Sequence, residues 1–252
     1  MKTVQEILKQ YWGYTQFRPQ QEEVIKAVLE GKDVLTLLPT GAGKSLCFQV
    51  PTIYQKGICV IISPLIALMQ DQVKDLKSKN ISAVNLGGEI NYEQQEVILK
   101  EALAGKYQFI YLSPEKLAQK SFQNFLQALP ISLFAIDEAH CISQWGYDFR
   151  PSYCRIVETK KKLPSIPTIA VTASATPLVL ADIQIQLGLL QPSVFKQPFI
   201  RPNISYSSFE SESKINKILE ILQKVPGSSI VYCNSRKQCK KIAEAILLQG
   251  IS

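Results

Sequence analysis

Short apolar runs alternate with longer amphipathic stretches along most of this chain, and that alternation restricts its fold more than any other feature. The strand candidates are Val34–Leu38, Cys59–Ser63, Phe109–Leu112, Leu133–Ile136, Ile169–Thr172 and Ile230–Cys233. Helical patterns lie between them at Gln20–Glu30, Leu65–Lys79, Tyr92–Ala104, Pro177–Leu187 and Lys214–Lys224. Repetition of this kind predicts an α/β fold, a parallel sheet with helices on both faces. The strands are almost wholly apolar, as strands covered on both sides must be.

A boundary is expected near Gln197–Asn203, where QPFIRPN carries two prolines and no period. Beyond it the alternation restarts with strand Ile230–Cys233 and helix Lys237–Gln249. A second domain of the first one's kind needs about 100 more residues than follow the boundary. The organisation read here is therefore one domain over 1–200, then a linker and the N-terminal part of a second over 201–252.

Hydrophobic residues make up 46% and charged residues 19% of the chain, the balance of a soluble globular protein. No apolar run approaches the roughly 18 residues that span a bilayer. The start, MKTVQEILKQYWGY, sets charges inside its apolar pattern and lacks a small-residue cleavage site. These features point away from a membrane and toward the cytoplasm. Six cysteines stand at 47, 59, 141, 154, 233 and 239 without a C-x-x-C pair, and the chain has a single histidine. That spacing suits buried reduced thiols, and zinc is not expected in this segment. The net charge of +7 comes wholly from residues 151–252, since 1–150 carry 15 basic and 15 acidic residues. A basic second half fits a polyanionic partner, although the Lys160–Lys161–Lys162 run reads as a solvated helix end.

Two segments carry chemistry. In the first, strand Val34–Leu38 runs into Pro39-Thr40-Gly41-Ala42-Gly43-Lys44-Ser45, and a helix begins near Ser45. Glycines allow backbone N–H groups to face phosphates, and a helix N-terminus adds favourable partial charge. Lys44 would reach the β- and γ-phosphates of a nucleotide, and the Ser45 hydroxyl would sit on Mg²⁺. The full phosphate-loop pattern asks for glycine at 38, where this chain has Leu38. About ninety residues further on comes LFAIDEAH, Leu133 to His140. Asp137 ends an apolar strand, where α/β sheets present ligand-binding groups, and is assigned to Mg²⁺. Glu138 would orient and deprotonate the attacking water. His140 is assigned to linking this site with the segment behind it, the alternative being a space-filling imidazole with one satisfied hydrogen bond.

That next segment is CISQWGYDFRPSY, Cys141 to Tyr153. Aromatics interleaved with Asp and Arg between glycine and proline fit a packed hydrophobic loop poorly. With these residues in place the chain resembles a RecQ-family DNA helicase of helicase superfamily 2 over nearly its whole length. The resemblance implies a RecA-like P-loop NTPase domain and the start of a second RecA-like domain. GYTQFRPQQ resembles the family's adenine-reading motif, which implies that Tyr14 stacks on the base while Arg18 and Gln21 hydrogen-bond around it. Thr40, Gly41, Ala42, Gly43, Lys44 and Ser45 would hold the phosphates. SPLIALMQDQV, Ser63 to Val73, and YLSPEKL, Tyr111 to Leu117, resemble motifs that meet the DNA backbone.

CISQWGYDFRPSY resembles the family's aromatic-rich loop, which implies that Trp145 and Phe149 stack on bases at ~1–3 kcal/mol each. Arg150 would contact phosphate or base planes, with Asp148 orienting it. The family often has His where this chain has Tyr147. AVTASATP resembles the motif that couples ATPase to unwinding, here with Thr172 and Ser174 as its hydroxyl residues, and Ser174 is expected to keep the hydrogen bonding of the usual Thr. IVYCNSR resembles the first motif of the second motor domain, and FIRPN, Phe199 to Asn203, the inter-domain segment, with Ile200 where an acidic residue is common.

The resemblance implies an enzyme, an ATP-dependent DNA helicase using ATP and Mg²⁺. It would act 3′→5′ on single-stranded DNA and duplex junctions in repair and recombination, in the cytoplasm and on the nucleoid in a bacterium. An arginine finger, worth ~10³–10⁵ in rate, and the zinc and winged-helix modules of the family have no match in these residues. The chain alone is therefore expected to bind ATP but to unwind poorly. Two rival readings remain: an RNA helicase of DEAD/DEAH type, against which the aromatic loop speaks, and a nucleotide-gated DNA-binding module without turnover.

Overall fold

The computed structural model describes residues 2–88, 90–117, 119–146, 148–198 and 203–251, and divides the chain into two units, Met1–Phe199 and Ile200–Ser252. The first unit opens with helices α1 (Val4–Trp12) and α2 (Gln21–Leu29). It continues as β1 (Val34–Leu37), α3 (Leu46–Gln55), β2 (Ile58–Ile62), α4 (Ile66–Ser78), β3 (Ala83–Asn85), α5 (Tyr92–Leu103) and β4 (Phe109–Leu112). It closes with α6 (Pro114–Leu117), α7 (Lys120–Ala128), β5 (Ile131–Ile136), α8 (Ile156–Lys162), β6 (Thr168–Thr172), α9 (Pro177–Gln186) and β7 (Ser193–Lys196).

The seven strands form one parallel sheet in the order β3-β4-β2-β5-β6-β1-β7. Side chains along a strand alternate between faces, and here both faces are apolar. Leu35, Val60, Ile62, Ile110, Leu112, Phe134 and Ile136 pack into the core on one side. Val34, Cys59, Ile61, Phe109, Tyr111, Leu133 and Ala135 pack into the core on the other. A third cluster, with Ile7, Leu8, Ile25, Leu46 and Val50, fastens α1 and α2 to α3 and so fixes the N-terminal segment beside the phosphate loop.

Two strands lie outside the expected set. β3 has only three residues, and β7 is an edge strand whose residues alternate between half-buried and exposed, so neither carries an apolar run. Lys160 also departs from expectation. Its side chain is 13% exposed and its ammonium bonds Asp33 Oδ2 at 2.7 Å and Thr168 Oγ1 at 3.0 Å. The Asp33 carboxylate accepts from the Thr168 N–H at 2.9 Å, so this lysine locks the entry of β1 to β6 and is no solvated end. All six cysteines are free thiols, but Cys239 is exposed and Cys154 and Cys233 are only half-buried, so burial holds for three of them.

The second unit contains α10 (Lys214–Lys224) and α11 (Arg236–Leu248). The expected strand Ile230–Cys233 is not a strand, and Ile230 and Tyr232 are exposed. A strand needs a ladder partner for its backbone groups, and no described residue of this unit pairs with that run. Of the inter-domain motif, Phe199, Ile200, Arg201 and Pro202 lie outside the described residues. No helix among the described residues is long and apolar enough to cross a membrane.

Candidate active site

The expected phosphate loop leaves the C-terminal end of β1 at Leu38, whose N–H bonds the Thr172 carbonyl at 3.0 Å and thereby continues the ladder to β6. Gly41 and Gly43 have φ of 81° and 78°, left-handed conformations that favour glycine. At position 43 a Cβ would also stand 2.5 Å from the Gln21 amide nitrogen. The loop is held from behind by α2. Gln21 donates to the Ala42 carbonyl at 2.9 Å and the Gly43 carbonyl at 3.1 Å, and the Arg18 guanidinium donates to the Gly41 carbonyl. Gln21 accepts in turn from the Arg18 N–H at 2.9 Å. Two residues assigned to adenine thus brace the loop in this structure, with Gln21 buried. Tyr14, by contrast, is 53% exposed at the rim.

Loop and carboxylates share one cavity of about 630 Å³, which Tyr14, Arg18, Gln21, Asp137 and Glu138 also line. Lys44 and Ser45 line it, and the Lys44 ammonium acts electrostatically on both carboxylates. Gly41 and Gly43 line it too, whereas Thr40 and Ala42 belong to the loop without lining the cavity. An ammonium, a hydroxyl and a helix N-terminus facing two carboxylates form a donor set that fits a nucleotide polyphosphate with a hard divalent cation.

Asp137 extends β5 by one residue, its N–H bonding the Ile62 carbonyl at 2.8 Å. Burial, and then the neighbouring Glu138 charge, push its carboxyl up to about 6. One carboxylate oxygen accepts the Glu138 N–H at 2.9 Å. Glu138 has φ 46° and ψ 47°, a left-handed geometry that costs a non-glycine residue roughly 1–2 kcal/mol. This turn separates the two carboxylates, leaving Asp137 buried and Glu138 half-buried beside His140. The hydrogen bond from His140 holds the Glu138 carboxyl below the usual range. His140 Nδ1 lies 3.3 Å from Glu138 Oε2 and 3.0 Å from Thr172 Oγ1. An ionised carboxylate only accepts, so Nδ1 carries a proton, and in the neutral ring Nε2 keeps the lone pair.

Behind the carboxylates the chain forms a short 3-10 turn, Ala139–Ile142, and then the aromatic loop. The loop is closed at its base, where the Arg150 N–H bonds the Cys141 carbonyl at 2.8 Å. Trp145 projects with 69% exposure, Asp148 is exposed, and Phe149 and Arg150 are half-buried. Arg150 donates to the Pro64 carbonyl at 3.0 Å and pairs with Asp148 at 3.4 Å. The loop is therefore fastened to the entry of α4. Ser174 meets Thr172 through its backbone N–H and carbonyl, at 3.3 and 3.4 Å. Tyr147 lies outside the described residues.

Five residues had no role of their own in the sequence reading. The buried Tyr153 hydroxyl donates to the Asp137 carbonyl at 3.1 Å, so the end of the aromatic segment supports the carboxylate turn. Asp182 on α9 accepts from the Ser143 hydroxyl at 2.6 Å and anchors the loop's start. Asp71, Gln72 and Asp75 on α4 line the nucleotide cavity. Their period on α4 was visible, but the face it presents depends on the tertiary fold. A second concavity, about 730 Å³, brings together Ile66, Gly87, Gly88, Ser113 and Lys116, so both segments assigned to the DNA backbone meet on one surface.

A family profile described as DEAD/DEAH box helicase matches residues 18–183. The chain is 39% identical over 250 residues to the probable ATP-dependent DNA helicase RecS of Bacillus subtilis, covering 98% of this chain and 50% of that protein. It is 40% identical over 252 residues to the ATP-dependent DNA helicase RecQ of Pasteurella multocida, covering 100% of this chain and 40% of the relative. The chain thus spans half or less of the length of these curated relatives. Among solved structures the DUF1998 helicase MrfA matches with a TM-score of 0.72 at 17% identity, over 98% of this chain and 40% of that one, a likeness of fold alone. The profile takes in the phosphate loop, the carboxylate pair and the Thr172 strand end, and the relatives match the chain throughout. The chain belongs to the DEAD/DEAH box helicase family, and within it to the RecQ group.

Proposed function

We propose that these residues bind and hydrolyse ATP and couple that hydrolysis to DNA. The observation that carries this reading is the short covalent path from Asp137 and Glu138 through His140 to a loop that exposes Trp145 and carries Phe149 and Arg150. Lys44 and the phosphate loop would hold the β- and γ-phosphates, and Tyr14 would cover the base. Ser45 and Asp137 would hold Mg²⁺, which when bound neutralises phosphate charge. Glu138, kept ionised by His140 and lining the cavity, would take a proton from a water there. A base or phosphate drawn to Trp145, Phe149 and Arg150 would pull on the loop, whose base joins the His140–Thr172 contact.

DNA is favoured over RNA by the aromatic loop and by the names of the two curated relatives given above. Polarity of 3′→5′, action at single-stranded DNA and duplex junctions, a role in repair and recombination, and a cytoplasmic, nucleoid-associated location belong to the same proposal. Because the chain spans half or less of those relatives, hydrolysis, its coupling to DNA and unwinding are proposed for the whole protein, in which these residues bind the nucleotide. The test is ATP hydrolysis with no nucleic acid, with single-stranded DNA and with single-stranded RNA, beside Lys44→Ala. Stimulation by DNA that vanishes in the variant supports the reading. Equal stimulation by RNA would favour an RNA helicase, and nucleotide-dependent DNA binding without turnover would leave a gated binding module.

A further inference from the structure

The aromatic loop folds back so that Asp148 meets the residues that follow the carboxylate pair. The Cys141 sulfur lies 3.6 Å from Asp148 Oδ2 and 3.9 Å from His140 Nε2, and one ligand atom from each of the three residues falls within 4.8 Å of the others. Sulfur, nitrogen and oxygen ligands around tetrahedral zinc stand about 3.5 Å apart, so a small contraction completes three corners. The imidazole is already oriented for this. Glu138 and Thr172 both face Nδ1, which leaves Nε2 toward the sulfur, and a carboxylate behind a histidine commonly fixes the ring's orientation in zinc sites. Asp148 is exposed, which gives an ion a path in from the loop side.

We propose that His140, Cys141 and Asp148 form a binding site for Zn²⁺ or a similar soft divalent ion, and that the bound ion clamps the aromatic loop against the turn behind the carboxylates. On binding, the thiol loses its proton to solvent and sulfur, nitrogen and carboxylate oxygen each donate a pair to the metal, with water at the fourth corner. Asp148 is at present also paired with Arg150 at 3.4 Å, so the ion would draw it from that guanidinium and leave Arg150 held by the Pro64 carbonyl. The site differs from the cavity assigned to Mg²⁺, which uses oxygen donors from Ser45 and Asp137. Spacing along the sequence hides it, because the third ligand arrives only when the loop closes.

The probe is Co²⁺ added to the full chain without nucleotide. The expected result is a thiolate-to-cobalt charge-transfer band that Zn²⁺ displaces, that is lost in Cys141→Ala and weakened in Asp148→Asn, and that Cys239→Ala leaves unchanged. Hydrogen exchange of residues 143–146 and 148–150 should slow about tenfold with saturating Zn²⁺ in the unaltered chain, and stay as it was in Cys141→Ala. Absence of the band, or its survival in Cys141→Ala, overturns the site. A band without slower exchange overturns the clamp. If Cys141→Ala fails to fold, Asp148→Asn, altered at an exposed residue, decides the same questions. Neither readout uses catalysis, so this proposal stands or falls separately from the helicase reading.

Discussion

His140 Nδ1 lies 3.0 Å from Thr172 Oγ1, joining the turn that leaves β5 to the last residue of the neighbouring strand β6. Thr172 is also where the first residue of the phosphate-loop segment, Leu38, pairs through its backbone. One residue therefore touches the carboxylate turn by its side chain and the phosphate loop by its main chain. Thr172→Val keeps the shape and removes the acceptor. Loss of each such buried bond costs about 0.5–1.5 kcal/mol of stability, and the variant also gives up the Oγ1 contacts to Ser174. We expect the ATP KM to change by less than about twofold, while DNA stimulation of turnover falls about tenfold, the equivalent of about 1.4 kcal/mol. Steady-state ATPase with and without single-stranded DNA reads both. An unchanged DNA response would remove this contact from the coupling.

Glu138→Gln separates catalysis from binding. The amide keeps the size of the side chain but cannot take a proton, so turnover should fall by about 10²–10⁴. Nucleotide affinity should persist, since the phosphate loop is untouched. Lys44→Ala should do the reverse and lose Mg²⁺-nucleotide binding first. A fluorescent nucleotide titration beside a turnover assay distinguishes the two. Full turnover in Glu138→Gln would mean another group serves as the base.

Both of these residues were readable from sequence because their function is local: a strand, a turn and the next few residues suffice. Gln21 was identified but its contacts were not. Its amide reaches the Ala42 and Gly43 carbonyls only because the third apolar cluster sets α2 against α3. Tyr153 and Asp182 were missed for the same reason, as each meets its partner after a chain reversal. The sheet was legible through its buried strands. β3 and β7 were not, being a three-residue strand and an edge strand, while Ile230–Cys233 has strand composition without a ladder partner.

Asp137 gives the site a pH dependence. Burial, and then Glu138, raise its folded-state value to about 6 from the ordinary 3.8. Folding therefore favours the protonated acid. The group's destabilising contribution is fully present above about 6 and is relieved as pH falls toward 3.8. Metal binding has the opposite requirement, because only the carboxylate holds Mg²⁺. Affinity for Mg²⁺-nucleotide should drop as pH falls through about 6, with one proton released per ion bound below that point. Calorimetry in buffers of different ionisation enthalpy measures the proton. Asp137→Asn should abolish the release, and a pH-independent affinity between about 5 and 7 would contradict the assignment.

Trp145 tests the loop. Its side chain is 69% exposed in a loop whose base is pinned at Cys141–Arg150 and Ser143–Asp182, so it adds little to the core. A large exposed aromatic on a braced loop is suited to stacking on a splayed base. Trp145→Ala should leave thermal stability within about 0.5 kcal/mol, because the side chain is mostly exposed. Single-stranded DNA binding should weaken by ~1–3 kcal/mol, together with DNA stimulation of ATPase. ATP turnover without DNA should be unaffected, since Trp145 does not line the nucleotide cavity. Phe149→Ala is the control within the loop, as Phe149 is half-buried and should lose stability as well as affinity. If Trp145→Ala binds DNA as tightly as the unaltered chain, the exposed ring serves another surface, and coupling must run through Phe149 and Arg150.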